Sequence, residues 1–177
     1  MPNTAYLEHY TADDYARWEG DWELIYGAPY AMSPSPSISH QRVAKRLLVL
    51  LDAQLQDCSL CEVLSEVDWH CADDIIVRPD IVVVCEVEGE KLVQTPELII
   101  EVVSPSTVKR DEQIKLELYQ AKGVKIYILV YPQERKILIY QLTGGRYCKV
   151  GDDQTEFFDF MVRNCAVRLE FERVWRV

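Results

Sequence analysis

The sequence predicts an α/β fold with a mixed central sheet. Two runs, at about 75–85 and 97–103, are apolar at nearly every position, and a pattern of helical periodicity lies on either side of them. Strands that are apolar on both faces are typical of a sheet covered on each side. A chain of 177 residues suits one core, and we expect a single domain over 1–177 with its core at about 39–131.

Before these runs, the sequence predicts a short helix, a β-hairpin, a long helix and one alternating strand. A capping-box pattern at Thr11 begins the short helix, and a proline-punctuated serine loop, Ser33–Ser37, ends the hairpin. Valines and leucines at helical spacing after Ser39, a fair N-cap, predict the long helix. The predicted bounds are about 12–18 for the short helix, Trp22–Tyr26 and Pro29–Met32 for the hairpin, Ser39–Gln56 for the long helix, and Glu62–His70 for the strand.

After the second apolar run, the sequence predicts a helix, a strand and a second hairpin. Ser104-Pro105-Ser106-Thr107 breaks the sheet and begins the helix, which Gly123 ends. The predicted bounds are about 108–122 for the helix, Lys125–Tyr131 for the strand, and Lys136–Leu142 with Arg146–Val150 for the hairpin. The remaining residues are expected to wrap the sheet edge. The core order is therefore helix, strand, strand, strand, helix, strand, with a hairpin added at each end.

The acidic composition limits how the protein could bind nucleic acid. A net charge of −10 excludes a protein that coats nucleic acid by charge alone, since phosphate neutralisation supplies most of the non-specific affinity. A nucleic-acid partner would therefore have to bind a local basic segment, either Arg42, Lys45 and Arg46 or the basic stretch 109–125. The alternative is that both are ordinary solvated helix faces.

The sequence favours a cytoplasmic protein. No apolar stretch approaches the roughly 18 residues of a membrane span, and Met1–Thr4 lacks the layout of a signal peptide. The six cysteines are then expected to be reduced and mostly buried. Cys58-x-x-Cys61 followed by His70-Cys71 suggests zinc, but a regular strand between the pairs argues against that site.

Two isolated carboxylates are the main indication of function. Asp80 and Glu101 each lie within an apolar strand, about twenty positions apart. An unpaired buried carboxylate costs several kcal/mol or keeps its proton, so two of them favour a cation between them. The alternative is that each simply ends a strand and is solvated. We expect the two to lie on neighbouring strands and to bind one hard metal ion.

Several motifs resemble a known nuclease family in order and spacing. In chain order, the motifs are Trp22-Glu23-Leu24-Ile25, Met32–Ser37, His40-Gln41, Arg78-Pro79-Asp80, Glu101–Thr107, Arg110-Asp111, Lys115, Leu118-Tyr119 and Gly123-Val124. Together they resemble the Uma-type, restriction-endonuclease-like family of the PD-(D/E)XK nuclease superfamily, over about residues 10–142. The resemblance implies an αβββαβ core and metal-dependent hydrolysis of phosphodiester bonds.

The resemblance also implies roles for particular residues. Asp80, Glu101 and the backbone carbonyl of Val102 would bind Mg²⁺, for which Mn²⁺ is a substitute. The superfamily's strand lysine is replaced by Val103, so Lys115, at the family's helical lysine position, would supply the charge. From the residues alone, Lys115 is equally well explained as a surface lysine paired with the acid four positions before it.

Two further site residues are expected at the rim of the pocket. Glu23 matches the family's N-terminal acidic position and would act as a metal ligand or base; the alternative is a surface charge of the hairpin. His40 begins the long helix and would bind phosphate or transfer a proton, unless it is only a structural cap. Because a helix N-terminus lowers the pKa of a histidine, we expect a neutral imidazole.

The sequence thus predicts a Mg²⁺-dependent endonuclease acting on DNA. Two alternatives stay open: a catalytically silent binding or scaffold protein that keeps the fold, favoured by Val103 and the acidic charge, and a metal-dependent hydrolase of RNA or of a small phosphate ester. A homodimer is expected by analogy with nucleases that cut two strands. No appended recognition helix or zinc module indicates a base sequence.

Overall fold

The structure is a computed structural model that describes residues 7–33 and 35–176. Met1–Thr4, on which the expected lack of a signal peptide rests, and Pro34 of the serine loop lie outside these residues. The helices are α1 (Ala12–Tyr15), α2 (Ile38–Leu55), α3 (Leu116–Ala121) and α4 (Phe171–Trp175). The strands are β1 (Trp22–Ile25), β2 (Ala28–Ala31), β3 (Cys61–Ser65), β4 (Trp69–Ala72), β5 (Ile75–Val77), β6 (Ile81–Cys85), β7 (Leu98–Val102), β8 (Ile126–Tyr131), β9 (Lys136–Thr143), β10 (Arg146–Gly151), β11 (Phe157–Val162) and β12 (Cys165–Glu170).

A six-stranded mixed sheet forms the centre of the fold. Its strand order is β10-β9-β8-β7-β6-β3, in which β7 and β8 are parallel and all other neighbours are antiparallel. Along the chain, α2, β3, β6, β7, α3 and β8 follow the predicted core order. The predicted α/β class with a mixed sheet and a restriction-endonuclease-like core is therefore confirmed.

The central strands bury both of their faces, as their composition predicts. Residues of β6 and β7 alternate between two apolar clusters, because successive side chains of a strand point to opposite faces. Ile81 and Ile100 pack with Leu47 of α2 on one face, whereas Val82 packs with Tyr119 of α3 on the other. This alternation decides which helix each strand residue meets.

The predicted strand at 75–85 is wrong as a single element. It is interrupted at Arg78-Pro79-Asp80, so that β5 belongs to a separate sheet of order β2-β1-β5-β4 while β6 enters the central sheet. Pro79 has no N–H to donate, and the N–H of Arg78 is bound by a side chain, Glu23. The predicted strand Glu62–His70 likewise divides into β3 and β4, because Glu66 has a left-handed φ of 51°.

The helix before β8 begins with an unusual turn. Arg110–Lys115 is π-helical and continues directly into α3. Single π-helical turns are rare and are found mostly at functional sites. Asp111 and Lys115 are both buried on this turn, which directs two charged side chains into the molecule where the sequence predicted an ordinary amphipathic helix.

The C-terminal residues form β11, β12 and α4 and pack in the core beside α2. Val162, Leu169 and Phe171 share the apolar cluster of that helix, so they cover a face of the sheet rather than its edge alone. Arg46 of α2 donates to the carbonyl of Val174 across 3.1 Å. No helix in the described part of the chain is long and apolar enough to cross a membrane.

The expectation of reduced cysteines is wrong for four of the six. Disulfides join Cys58 to Cys165 and Cys61 to Cys85, whereas Cys71 and Cys148 are free. The Cys61–Cys85 pair lies at the end of the β3–β6 ladder, where the two residues are opposite each other. Because both members of the C-x-x-C pair are used in disulfides, the structure does not support zinc there.

Candidate active site

Asp80 and Glu101 meet where β6 begins and β7 ends. Ile81 is opposite Ile100 in this antiparallel pair, so the next position in each strand places Asp80 beside Glu101 on the α3 face. The backbone N–H of Val102 donates to Asp80 Oδ2 across 2.7 Å, and the N–H of Asp80 lies 3.4 Å from Glu101 Oε2. The structure thus brings together the two carboxylates predicted to share a site.

The two oxygens of Glu101 have different surroundings. Oε1 accepts hydrogen bonds from Lys115 Nζ and from the Tyr119 hydroxyl, each at 2.8 Å. Oε2 is the oxygen on the Asp80 side. Burial raises the pKa of Glu101 well above its usual value, and the acids around it add to this against the pull of Lys115. Buried side chains therefore fix Oε1 of Glu101, whereas Oε2 faces Asp80.

Lys115 is buried among carboxylates and is not a surface lysine. Its Nζ lies 2.8 Å from Glu23 Oε1, 2.8 Å from Glu101 Oε1 and 3.9 Å from Asp111 Oδ1. Burial alone would lower the pKa of Lys115, but the carboxylates, Glu101 first, raise it well above its ordinary value. The structure places an ammonium group at the site despite Val103 on the strand.

Glu23 lies beneath the pocket and not at its rim. It is 1% exposed and accepts from the N–H of Arg78 at 2.9 Å and from Arg110 at 3.1 Å. Burial opposes ionisation, but Lys115 and the other donors lower the pKa of Glu23 below its usual value. Both the rim position and the surface-charge alternative are wrong. Surrounded by donors, Glu23 anchors the cations of the site.

His40 lies at the opening of the pocket, as predicted. Its Nε2 is 3.3 Å from Asp80 Oδ2, and its backbone N–H is capped by Ser37, not Ser39, at 3.2 Å. Burial of the ring would lower the pKa of His40, but the hydrogen bond to Asp80 raises this pKa above its ordinary value. The expected neutral imidazole is therefore not favoured. Nδ1 has no partner among the described residues.

The donors that remain available suit a hard cation with a partly hydrated shell. Asp80 Oδ1 accepts no hydrogen bond in the described part of the chain, Glu101 Oε2 lies 3.4 Å from the backbone nitrogen of Asp80, and Val102 lines the same pocket. Residues 7–33 and 35–176 contain no group of three or more His, Cys, Asp and Glu side chains arranged to hold a metal. Mg²⁺ needs only one or two carboxylates and keeps several waters, so this set fits Mg²⁺ better than a cation that needs an all-protein cage.

The site contains three residues to which we assigned no role from sequence. Asp111 is 3% exposed near Lys115, Arg110 contacts Glu23 and lies 5.0 Å from the Tyr30 ring centroid, and the Tyr119 hydroxyl binds Glu101. The spacing of Asp111 and Lys115 is visible in the sequence, but it equally describes an exposed i,i+4 pair. Tyr119 lies on an apolar helix face, where the sequence does not distinguish a site residue from an ordinary core residue.

Comparisons with known proteins agree on fold and family. The Uma2 family model, described as "Putative restriction endonuclease", matches residues 12–161. No curated protein matches the sequence. Among the solved structures, a "putative nuclease belonging to DUF820" from Anabaena variabilis is similar with a TM-score of 0.74 and 16% identity, over 94% of this chain and 97% of that one. At this identity the likeness concerns the fold alone.

Proposed function

The chain belongs to the Uma2 family, as its motifs predicted, and on that premise we propose that it is a Mg²⁺-dependent endonuclease that hydrolyses phosphodiester bonds in DNA. One observation carries the proposal. Asp80 and Glu101 lie side by side, Asp80 Oδ1 accepts no hydrogen bond from the described residues, and a buried ammonium, Lys115, is bonded to Oε1 of Glu101. Paired carboxylates beside a fixed cation suit a reaction in which negative charge increases on a phosphate.

Asp80, Glu101 and the Val102 carbonyl would hold the metal ion. Bound Mg²⁺ supplies a Lewis acid for the phosphate oxygens and lowers the pKa of an attacking water. The chain's part is to orient these ligands before substrate arrives. The N–H of Val102 fixes Asp80, and Lys115 with Tyr119 fixes Glu101, as hydrogen bonds to metal ligands do in other metal sites.

The remaining polar residues divide into positioning and proton-transfer roles. Glu23 holds Lys115 and Arg110 in place by ion pairs of 2.8 Å and 3.1 Å. Lys115 then keeps its charge in the pocket and stabilises the charge that develops on the phosphate. His40, at the opening and bonded to Asp80, would give a proton to the leaving oxygen, a role that its raised pKa supports.

The proposal is tested on purified protein with supercoiled plasmid. We expect nicking with Mg²⁺ or Mn²⁺, none in EDTA, and none from Asp80→Asn. Labelled RNA and a chromogenic phosphate diester are assayed beside it, so that cleavage of either without plasmid nicking would favour the RNA or small-ester hydrolase. If folded protein cleaves none of the three substrates with either metal, a silent binding protein with the nuclease fold replaces the proposal.

A further inference from the structure

A second cavity adjoins the candidate active site along α2. It has a volume of about 450 Å³, and it shares His40 and Asp80 with the pocket that contains Glu101 and Lys115. We call it the α2 groove; it is lined by residues that include His40, Arg42, Lys45, Leu48, Glu66 and Asp80. The groove and the carboxylate pocket therefore share part of their walls.

Two cations line this groove without an internal partner. Arg42 and Lys45 are exposed, and neither forms an ion pair within the part of the chain that the structure describes. They are three residues apart in α2, so they lie on the same face of the helix, about one turn apart. Their charges are free to bind an anion from outside.

The other basic segments of the sequence are largely used inside the protein. Arg46 donates to the carbonyl of Val174. In the stretch 109–125, Arg110 and Lys115 are paired with Glu23, and Lys125 is paired with Glu97. Lys109 and Lys122 form no ion pair among the described residues, but neither lines the groove or the carboxylate pocket. Of the two stretches that the sequence indicated, the start of α2 thus keeps the free cations beside the carboxylates.

Arg42 and Lys45 line the same cavity as Asp80 and follow His40, which contacts it, on α2. His40 and Lys45 are five residues apart in sequence, and this corresponds to about 7.5 Å along a helix. We therefore expect Arg42 and Lys45 to reach phosphates one or two nucleotides from a phosphate held at Asp80.

We propose that the α2 groove binds the backbone of a DNA strand next to the scissile phosphate, with Arg42 and Lys45 neutralising its phosphates and the half-buried side chain of Leu48 contacting its sugars. The inference rests on the proposed function, since it takes the bond to be cut at Asp80 and Glu101. It also accounts for how a protein of net charge −10 binds a polyanion: the cations that bind it are local.

The test compares two charge-matched double variants. Arg42→Gln/Lys45→Gln removes the proposed phosphate contacts, and Arg146→Gln/Lys149→Gln removes two exposed cations from β10, which adjoins neither cavity. Binding of a fluorescein-labelled DNA oligonucleotide is followed by anisotropy in EDTA, where no cleavage is expected, at several salt concentrations. Plasmid nicking with Mg²⁺ is measured in parallel on the same three proteins.

We expect the α2 variant to bind at least tenfold more weakly at low salt. The slope of log K against log salt should decrease in magnitude by about 2, since each lost phosphate contact removes about 0.9, and the β10 variant should bind as the wild type does. Equal effects of the two variants, or a wild type that binds no DNA, would overturn the proposal that the α2 groove binds DNA. The wild type could also bind DNA through Arg42 and Lys45 and yet never nick plasmid. This result would support DNA binding by the α2 groove and overturn the proposed nuclease activity.

Discussion

Lys115 Nζ and Glu101 Oε1 lie 2.8 Å apart although one residue is on a helix and the other is on the central sheet. Both side chains are almost fully buried, at 4% and 3% exposure. Val103 stands at the strand position where the sequence resemblance led us to expect a lysine, and the ammonium reaches the site from the helix instead. The distance between these atoms shows how the fold keeps a cation beside Glu101 without a strand lysine.

Replacing Lys115 by Met should strongly destabilise the protein at neutral pH. Removing one partner of a buried ion pair leaves the other charge uncompensated, which costs about 3–5 kcal/mol. Here both Glu23 and Glu101 lose the ammonium group that compensates them. The free energy of unfolding from urea titration measures the loss. Lys109→Met, at an exposed position, is the control and should change stability by less than about 0.5 kcal/mol.

The double variant Lys115→Met/Glu101→Gln should recover part of this stability and none of the activity. With Glu101 neutral, only Glu23 remains without its cation, so the two substitutions should not be additive. If Lys115→Met unfolds at the same urea concentration as Lys109→Met, the buried pair contributes nothing to stability, and this reading of the site is wrong.

Mg²⁺ should stabilise the wild type against heat through Asp80. A ligand that binds only the folded state adds about 2.7 kcal/mol at a hundred times its Kd, which is roughly 5–10 °C in Tm for a chain of this size. Differential scanning fluorimetry with and without Mg²⁺ measures this shift. Asp80→Asn keeps the shape of the side chain and should show almost no shift. A shift of the same size in both proteins would place the metal elsewhere.

The Cys58–Cys165 disulfide should contribute substantially to stability. It joins residues 107 positions apart, and closing a loop of about 100 residues restricts the unfolded chain by about 4–5 kcal/mol in the chain-entropy model. Urea unfolding of Cys58→Ser/Cys165→Ser against oxidised wild type measures the effect, and non-reducing peptide mapping should recover both disulfides. Finding four or more reactive thiols in the native protein would contradict this pairing.

Cys71 should resist alkylation at ordinary pH. Burial raises the pKa of its thiol to about 11, and only the thiolate reacts with iodoacetamide. Because the pKa is raised, the reactive form is scarce below pH 9 and increases towards pH 11. Mass spectrometry of native protein alkylated at pH 8 should find Cys148, which is exposed, labelled well before Cys71. Labelling of both at one rate would show that Cys71 is accessible and not desolvated.

The core of the site could be predicted from the sequence because its signal is local. Asp80 and Glu101 each interrupt an apolar run, and neighbouring strands bring such positions together whatever the remaining fold does. Lys115 required the family resemblance, since its sequence surroundings equally describe an exposed pair with Asp111. Asp80 directly precedes β6, Glu101 lies in β7 and Lys115 directly precedes α3, so each is positioned by a core element that the sequence predicted.

What the sequence did not reveal depends on contacts between distant segments. Glu23 was assigned to the rim because a short hairpin gives no sign of what covers it, and its partners, Arg78 and Lys115, lie more than fifty positions away. The cysteine pairing follows from the register of β3 against β6 and from the hairpin of β11 and β12, which the sequence did not indicate. Neither relationship has a local pattern.

The most direct test of the central claim is a nicking assay of wild type, Asp80→Asn and Asp153→Asn on supercoiled plasmid with Mg²⁺. Asp153 is exposed on a loop between β10 and β11, so its substitution removes the same charge far from the carboxylate pair. We expect nicking by wild type and Asp153→Asn, and a loss of at least a hundredfold in Asp80→Asn with its fold intact by circular dichroism. Nicking by Asp80→Asn at the wild-type rate would show that Asp80 and Glu101 are not the catalytic centre.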